Sequence, residues 1–412
     1  MLRSPRRHPL VAALAGYRLA LAESAYRRLW LAAVVSRTGD AINFAALPLF
    51  VLGLTKAASA VATIVFAEGI GLIVGGIAAQ LVVDRLPPRQ LLVSLDLLRA
   101  AAAGLLTALP LFPTAIAVSF LLAVGTASFS PVSNAVVPRL VPDRALPAAN
   151  GLQWTAGVGL QLVAAPLGGL LVSAGLARVA FGLNGLSFLG SALLLIGLPK
   201  LTALEEKPGS AWLQLAGAMR PIGQIRILRP LVAMQGLAAL AVGATSALLV
   251  VLARQAYGLS GTAYGLWLSA IAIGALIGPL MVPLLERLPP SRAVSGAYVI
   301  RGVGDIGLGL IRSGVGGGLL LALYGINTSS GMVAYQTMVQ RDVPAPVRGR
   351  AFAILDVVWQ IGRLLSIAVG AGLVAAIGIR SLFLIGGALL GIAGAVGLLS
   401  LGSSRSTRHV QN

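Results

Sequence analysis

Nine charged residues lie inside otherwise apolar stretches of this sequence, and they are the side chains best suited to chemistry. Five are acids and four are arginines: Asp40, Glu68, Asp96, Asp305 and Asp356, with Arg37, Arg99, Arg301 and Arg363. A carboxyl group can bind and release a proton or pair with a guanidinium. A charge at the centre of a membrane span costs at least about 2.5–3.5 kcal/mol on insertion scales, so each must be paired, water-facing or functional.

Other chemistries are excluded by counting. The sequence has no cysteine, and its two histidines, His8 and His409, lie in the tails. Disulfides, thiolate sites, histidine proton relays and intramembrane histidine metal sites are therefore excluded. No phosphate-binding Gly-Lys-Ser/Thr motif occurs, and the glycines of 302–307 match a dinucleotide pattern without a preceding strand. We expect no metal, no cofactor and no enzymatic activity.

Two of the acids are candidates for carrying a proton. Asp40 lies about 16 Å into its predicted helix, near the bilayer midplane, at 1.5 Å per residue. Arg37 lies one turn earlier on the same face, so a local ion pair is the alternative. Glu68 has no charged residue within one turn of its predicted helix, and its alternative role is a structural hydrogen bond.

Composition indicates the class of protein that must position these charges. Of the 412 residues, 57% are hydrophobic and 10% are charged, whereas a soluble domain has roughly 25% charged residues. Twelve spanning helices of about 20 residues would use ~240 residues and leave room for loops and tails. We predict an all-α polytopic membrane protein with the lipid bilayer as partner. The net charge of +19 does not predict nucleic-acid binding, which needs a soluble basic face.

Apolar runs between charged or Gly/Pro residues predict twelve transmembrane helices. Their expected bounds are 29–54, 59–83, 91–109, 112–137, 149–175, 178–198, 230–254, 262–285, 293–311, 315–338, 350–376 and 380–401. The predicted helices and the polar stretches between them divide the chain into five segments: a basic arm at 1–28, a six-helix bundle at 29–198, a linker at 199–229, a second six-helix bundle at 230–401, and a tail at 402–412. The linker pattern also predicts an interfacial helix.

The basic residues predict orientation. The segments on the N-terminal side of the membrane hold 22 Lys and Arg, and those on the opposite side hold 5. The positive-inside rule therefore places both termini in the cytoplasm.

The two halves of the chain repeat each other at an offset of 202 residues. The segment DRLPP at 84–88 recurs as ERLPP at 286–290, and Arg99 recurs as Arg301. The same offset relates Gly76 to Gly278 and Gly168 to Gly370. We expect two pseudo-symmetric bundles, as in transporters built from parallel repeats. Charges shared by both halves are predicted to serve the scaffold, and those in one half to mark divergence.

Several segments resemble a known family. GIAAQLVVDRLPPR at 76–89 resembles the loop signature after the second helix of the major facilitator superfamily. With SRTGD at 36–40, DLLR at 96–99, AAPLGG at 164–169 and VPAPVRGR at 343–350, the chain resembles the bacterial drug:proton antiporter branch, which includes macrolide-efflux and siderophore-exporter proteins. The resemblance implies the major facilitator fold in a bacterial cytoplasmic (cell inner) membrane.

The resemblance and the repeat together divide the remaining candidates into two sets. Loop and helix-three charges are expected to form a gate or latch: Asp84, Arg85, Asp96, Arg99, Glu286, Arg287 and Arg301. Asp305 has Arg301 one turn before it, which favours a structural ion pair. Polar and aromatic residues on helices that line the central cleft of the resembled fold are substrate-cavity candidates: Asn43, Trp154, Gln235, Asn327, Gln336, Asp356, Trp359 and Arg363.

The sequence predicts a monomeric secondary transporter that exports a small amphipathic organic compound, such as a drug, siderophore or secondary metabolite, in exchange for protons. A uniporter or lipid translocator of the same fold is the alternative. The resemblance implies an arginine for proton coupling in the fourth helix of other drug-antiporter branches, and the predicted helix 112–137 contains none. A membrane-embedded enzyme and a non-transporting sensor are less favoured.

Overall fold

The computed structural model describes residues 9–82, 86–202, 227–281 and 288–402. Within these ranges the chain is helical almost throughout and contains no β-strand. The predicted all-α fold is therefore confirmed. The predicted interfacial helix of the linker lies outside the described residues.

Seven of the described helices belong to the first half: α1 (Pro9–Ala22), α2 (Ser24–Thr55), α3 (Ala58–Val82), α4 (Pro88–Ala108), α5 (Phe112–Val136), α6 (Leu146–Ser173) and α7 (Ala177–Ile196). Six of them belong to the second: α8 (Leu228–Ala247), α9 (Gly261–Ile277), α10 (Pro290–Leu310), α11 (Gly314–Asp342), α12 (Ala345–Ile377) and α13 (Ile379–Gly402). A short helical turn, Leu249–Val251, and a π-helical turn, Leu252–Ala256, follow α8. The twelve helices from α2 to α13 correspond to the twelve predicted ones, and α1 lies in the segment predicted as a basic arm.

Ten of the described helices are long and apolar enough to cross a membrane. Helices α10 and α11 are long enough but more polar. The first contains Arg292, Arg301 and Asp305, and the second is rich in glycine and hydroxyl or amide residues. These two helices carry many of the polar side chains of the candidate site.

The chain divides into two compact units. One comprises residues 1–47 and 67–206, and the other comprises residues 48–66 and 207–412. In the first unit the side chains of Tyr26, Leu29, Leu92 and Leu195 are fully buried in one apolar core. In the second, Met234 and Val339 belong to a corresponding core.

Helix boundaries reproduce the repeat. Helices α4, α5 and α7 begin at residues 88, 112 and 177, and α10, α11 and α13 begin 202 residues later, at 290, 314 and 379. The residues before α4 and α10, Pro87 and Pro289, have the same backbone angles, φ −54° and ψ 134°. A proline at the first helical position fits because its ring fixes φ near the helical value. The two halves therefore share backbone geometry as well as sequence.

One pair of glycines makes equivalent packing contacts in the two units. A Cβ on Gly168 would overlap the backbone of Ile42, and a Cβ on Gly370 would overlap Ala244. Both partners are also 202 residues apart. Glycine at these positions lets α6 approach α2, and lets α12 approach α8, at backbone contact distance.

The glycine match between Gly76 and Gly278 is wrong. A Cβ on Gly75 would overlap Val124, and a Cβ on Gly278 would overlap Ile326 at the equivalent position, whereas a Cβ on Gly76 would meet nothing within 4 Å. Helices α3 and α9 begin 203 residues apart, one more than the offset of the following helices. The second unit therefore has one residue fewer between the start of α9 and the start of α10 than the first has between the starts of α3 and α4. The same stretch contains the 3₁₀ segment Gly278–Met281, and a 3₁₀-helix rises about 2.0 Å per residue.

Candidate functional site

A buried cluster of charges surrounds Arg99 in the first unit. Its guanidinium donates to Asp96 Oδ1, three residues earlier on α4, and lies 3.9 Å from Asp40 Oδ2 on α2. The rings of Phe129 and Phe188 stack on it with centroids 4.6 and 4.4 Å away. Cation–π contacts of this kind stabilise an arginine that water does not reach. One guanidinium therefore serves two carboxyl groups.

Asp40 and Asp96 differ in their access to solvent. The side chain of Asp40 is 35% exposed, whereas that of Asp96 is fully buried. The guanidinium of Arg99 donates directly to the carboxylate of Asp96, whereas it lies 3.9 Å from the carboxylate of Asp40, a long distance for an ion pair. Asp40 is therefore the more accessible and less tightly held of the two acids.

The alternative of a local pair between Arg37 and Asp40 is not the arrangement observed. Arg37 donates to the backbone carbonyl of Gln153 on α6, at 2.5 Å, and the carboxylate of Asp40 is closest to Arg99. Neighbours one turn apart on a helix face can pair, but here the backbone carbonyl and the arginine on α4 provide partners that the local sequence does not reveal.

The second unit contains a simpler pair at the equivalent arginine. Arg301 Nε donates to Asp305 Oδ1 at 3.1 Å, and Thr245 Oγ1 lies 3.5 Å from Asp305 Oδ2. The ring of Tyr324 lies 3.3 Å from the guanidinium carbon. The geometry predicted for the pair of Arg301 and Asp305 is confirmed. One arginine here neutralises one buried acid.

A cavity of about 620 Å³ lies inside the second unit. Its walls come from α8 and α10 to α13, and they combine aromatic, amide and aliphatic side chains. The polar and aromatic members are Gln235, Tyr298, Arg301, Tyr324, Asn327, Thr328, Tyr335, Gln336, Phe352, Asp356 and Trp359. Its size falls within the range of roughly 300–1,000 Å³ typical of sites for small organic molecules.

Five of the predicted cavity residues line this space: Gln235, Asn327, Gln336, Asp356 and Trp359. Arg363 does not. It shares a helix face with Asp356 but lies two turns, about 10 Å, further along α12, where its backbone packs against Gly243. In the first unit, Asn43 is half-buried and Trp154 is 49% exposed.

The predicted latch residues fall into two groups. Asp84, Arg85, Glu286 and Arg287 lie outside the described residues, so their role stays a prediction. Arg99 and Arg301 lie in the interior with Asp96 and Asp305 as their closest acids. Glu68 is half-buried on α3, and its part in proton transfer also stays a prediction.

Sequence reasoning missed several residues at these sites. Asn184 is fully buried, and a Cβ on Gly39 would come within 2.7 Å of its Oδ1 atom. Its amide makes no hydrogen bond to any described residue. A lone amide in an apolar helix is a signal that could have identified Asn184. The aromatic partners of the arginines, Phe129, Phe188 and Tyr324, carry no such signal because they resemble ordinary core residues.

The described residues contain no group of three or more histidines and acids that could hold a metal ion. The charged groups form two ion-pair clusters. Arg99 is surrounded by two carboxyl groups, and Arg301 pairs with one. Such groups can bind protons and orient a charged ligand.

Comparison with known proteins identifies one family model, described as a transmembrane secretion effector of the major facilitator superfamily, that matches residues 16–406. No curated protein sequence matches the chain.

Many solved transporter structures share the fold. The nucleoside transporter NupG is 12% identical to this chain with a TM-score of 0.76, and the match covers 92% of this chain and 99% of NupG. The POT family transporter PepTSo is 13% identical with a TM-score of 0.74, and the match covers 95% of this chain and 99% of PepTSo. A bacterial homologue of the iron transporter ferroportin, inward-facing, is 18% identical with a TM-score of 0.72, covering 91% and 98%. At these identities the likeness concerns the fold.

Proposed function

Because this chain belongs to the transmembrane secretion effector family of the major facilitator superfamily, a family of multi-pass membrane transporters rather than enzymes, we propose that it is a proton-coupled antiporter. It exports a small amphipathic organic compound by alternating access. The observation that carries the proton coupling is the cluster of two carboxyl groups around the single buried guanidinium of Arg99.

Charge balance explains why that cluster suits proton exchange. Among Asp40, Asp96 and Arg99, one guanidinium neutralises one carboxylate, so with both acids ionised these three side chains have a net charge of −1. Arg37, whose guanidinium donates to the backbone carbonyl of Gln153, is the further cation that acts on Asp40. A net charge buried in a span is costly, and binding one proton removes the cost. The cluster therefore alternates between a protonated, neutral state and an ionised state that requires water or a rearrangement of its pairs.

Asp40 is the acid that exchanges the proton. It is partly exposed and only loosely paired, whereas Asp96 is buried against Arg99. When Asp40 is protonated, Arg99 and Asp96 form a neutral pair. When Asp40 releases its proton, it competes with Asp96 for the guanidinium. This competition can couple protonation to a movement of α2 relative to α4. Glu68 is the second candidate for the same proton path.

The substrate binds through the cavity of the second unit. Its combination of aromatic surface with a few amide and charged groups is the usual composition of a site for a small organic ligand. The amide of Gln336 orients the ligand, while Gln235 accepts from the hydroxyl of Tyr298 and Asn327 donates to the backbone carbonyl of Ala297. The aromatic rings bury the apolar part of the ligand.

The remaining features follow from sequence and family. We place the protein in a bacterial cytoplasmic membrane, with both termini in the cytoplasm because of the bias of basic residues. It works as a monomer and needs no cofactor or nucleic acid.

The experiment is transport into proteoliposomes with an imposed pH gradient. Cationic, neutral and anionic amphipathic compounds are offered in turn, and a pH dye inside the vesicles records proton movement. Proton release coupled to uptake of one charge class supports antiport. Substrate movement without proton movement would favour the uniporter, and movement of a fluorescent phospholipid would favour the lipid translocator.

A further inference from the structure

We infer that the cavity of the second unit binds an organic cation with an aromatic or apolar body, and that Asp356 is the residue that selects its charge. This inference deepens the proposed function and rests on it for the role of the cavity in transport. The binding site itself can be tested without transport.

One negative charge in the cavity lining has no ion-pair partner among the described residues. Among the residues that the structure describes, the lining contains two charged side chains, Arg301 and Asp356. Arg301 is already neutralised by Asp305, with its guanidinium stacked on Tyr324. Asp356 makes no ion pair with any residue that the structure describes. The lining therefore offers a net negative charge to a ligand.

Asp356 is also accessible. Its side chain is exposed at the cavity wall, although it lies on a helix apolar enough to span a membrane. An ionisable group in a span is tolerated where it faces a water-filled cavity, and it then marks a functional site by default. A ligand with one positive charge would supply the missing partner.

The aromatic side chains of the wall fit the same ligand. Tyr298, Tyr335 and Trp359 line the cavity together with Asp356, while the ring of Tyr324 is occupied by Arg301. Aromatic faces attract cations through their negative quadrupole, and Trp is the strongest of them. They also bury the apolar body of an amphipathic molecule. Charge, aromatic content and size therefore favour a cation over a neutral or anionic compound.

The position of Asp356 in the repeat supports a specific role. Its equivalent in the first half is Trp154, 202 residues earlier. The scaffold shared by the two halves does not require an acid at this point on the helix. The carboxylate is a feature of the second unit alone, as is expected of a residue that selects a ligand.

Two probes of the same shape and opposite charge test the inference. Tetraphenylphosphonium and tetraphenylborate differ in the sign of one central charge. Binding of each to the full-length protein in detergent is measured by equilibrium dialysis against protein-free micelles. We expect the phosphonium to bind at least about tenfold more tightly than the borate, because the borate meets the uncompensated carboxylate.

Three variants locate the source of the preference. Asp356→Asn removes the charge with little change in shape and should weaken phosphonium binding about tenfold. Asp356→Glu keeps the charge and should retain most of the affinity. Asp143→Asn removes an exposed carboxylate outside the cavity and should leave binding unchanged. Thermal unfolding of each variant is measured alongside.

Each outcome decides the question. Equal affinity of the wild type for both probes, or no binding of the phosphonium, would overturn the cation site even if a variant fails to fold. Unchanged phosphonium binding by folded Asp356→Asn would overturn the role of Asp356. If binding depends on Asp356 but proteoliposomes show no proton exchange, the site stands and the antiport proposal fails.

Discussion

Arg99 and Arg301 occupy equivalent positions of the repeat, yet they pair with acids on opposite sides along their helices. Arg99 contacts Asp96, three residues earlier, and Arg301 contacts Asp305, four residues later. The equivalent of Asp96 in the second half is Tyr298, and the equivalent of Asp305 in the first half is Ala103. The arginine belongs to the common scaffold, and each half has acquired its own counter-charge.

A second difference separates the roles of the two units. Asp40 of the first unit corresponds to Val242 of the second, which lines the cavity, and Asp356 of the second corresponds to Trp154 of the first. Each unit thus has an accessible acid on a different helix. We propose that the acid of the first unit serves the proton and that of the second serves the substrate.

The pair of Arg301 and Asp305 should be important for stability. Asp305→Ala leaves a guanidinium that is only 10% exposed without its carboxylate. Removing one partner of a buried pair costs about 3–5 kcal/mol. The unfolding free energy in mixed detergent micelles should fall by that amount.

The double variant Arg301→Met with Asp305→Leu is the control for that prediction. It removes both charges and should recover most of the stability, because no uncompensated charge remains. A loss of less than about 1 kcal/mol for Asp305→Ala would indicate a pair that water already screens.

Adding one methyl group at Gly168, where α6 packs closely against α2, should lower the stability of the protein. Gly168→Ala places a Cβ against the backbone of Ile42, and overpacking of this kind costs about 1–3 kcal/mol. Gly159→Ala is the matched control on the same helix, because nothing lies within 4 Å of its Cβ position. A thermal unfolding midpoint lowered equally by both changes would contradict the packing contact.

Orientation in the membrane follows from the basic residues. Reporter fusions after residues 90, 205 and 405 should be cytoplasmic, and fusions after residues 56 and 312 should be external, because 22 of the loop and tail basic residues lie on one side and 5 on the other. An external reporter after residue 405 would mean that one of the twelve helices does not cross the bilayer.

The loop acids should act on conformational balance rather than on the ligand. Asp84→Ala should change the relative populations of inward- and outward-facing states, since a loop carboxylate can pair with arginine and with a helix N-terminus. The natural absence of cysteine allows single-cysteine labelling on either side to measure this. A loss of tetraphenylphosphonium affinity with unchanged labelling would contradict the latch role.

The sequence predicted the helices far better than the partners of the charged side chains. Helix positions follow from apolar runs ended by prolines such as Pro87 and Pro289, which are local signals. The pair of Arg301 and Asp305 was predictable because both residues lie one turn apart. The proximity of Asp40 to Arg99 was not, because the two residues lie on different helices, and neither was the cavity, which five helices form together.

Proton exchange at Asp40 is the central claim, and substrate uptake driven by a pH gradient tests it most directly. The measurement compares wild type, Asp40→Asn, Glu68→Gln and the double variant in proteoliposomes, using a compound that the wild type transports. Asparagine and glutamine mimic protonated carboxyl groups, so downhill substrate exchange should continue. Accumulation driven by the gradient should be lost in Asp40→Asn and in the double variant. Undiminished accumulation by Asp40→Asn would contradict proton exchange at Asp40, and undiminished accumulation by the double variant would contradict carboxylate coupling at both residues.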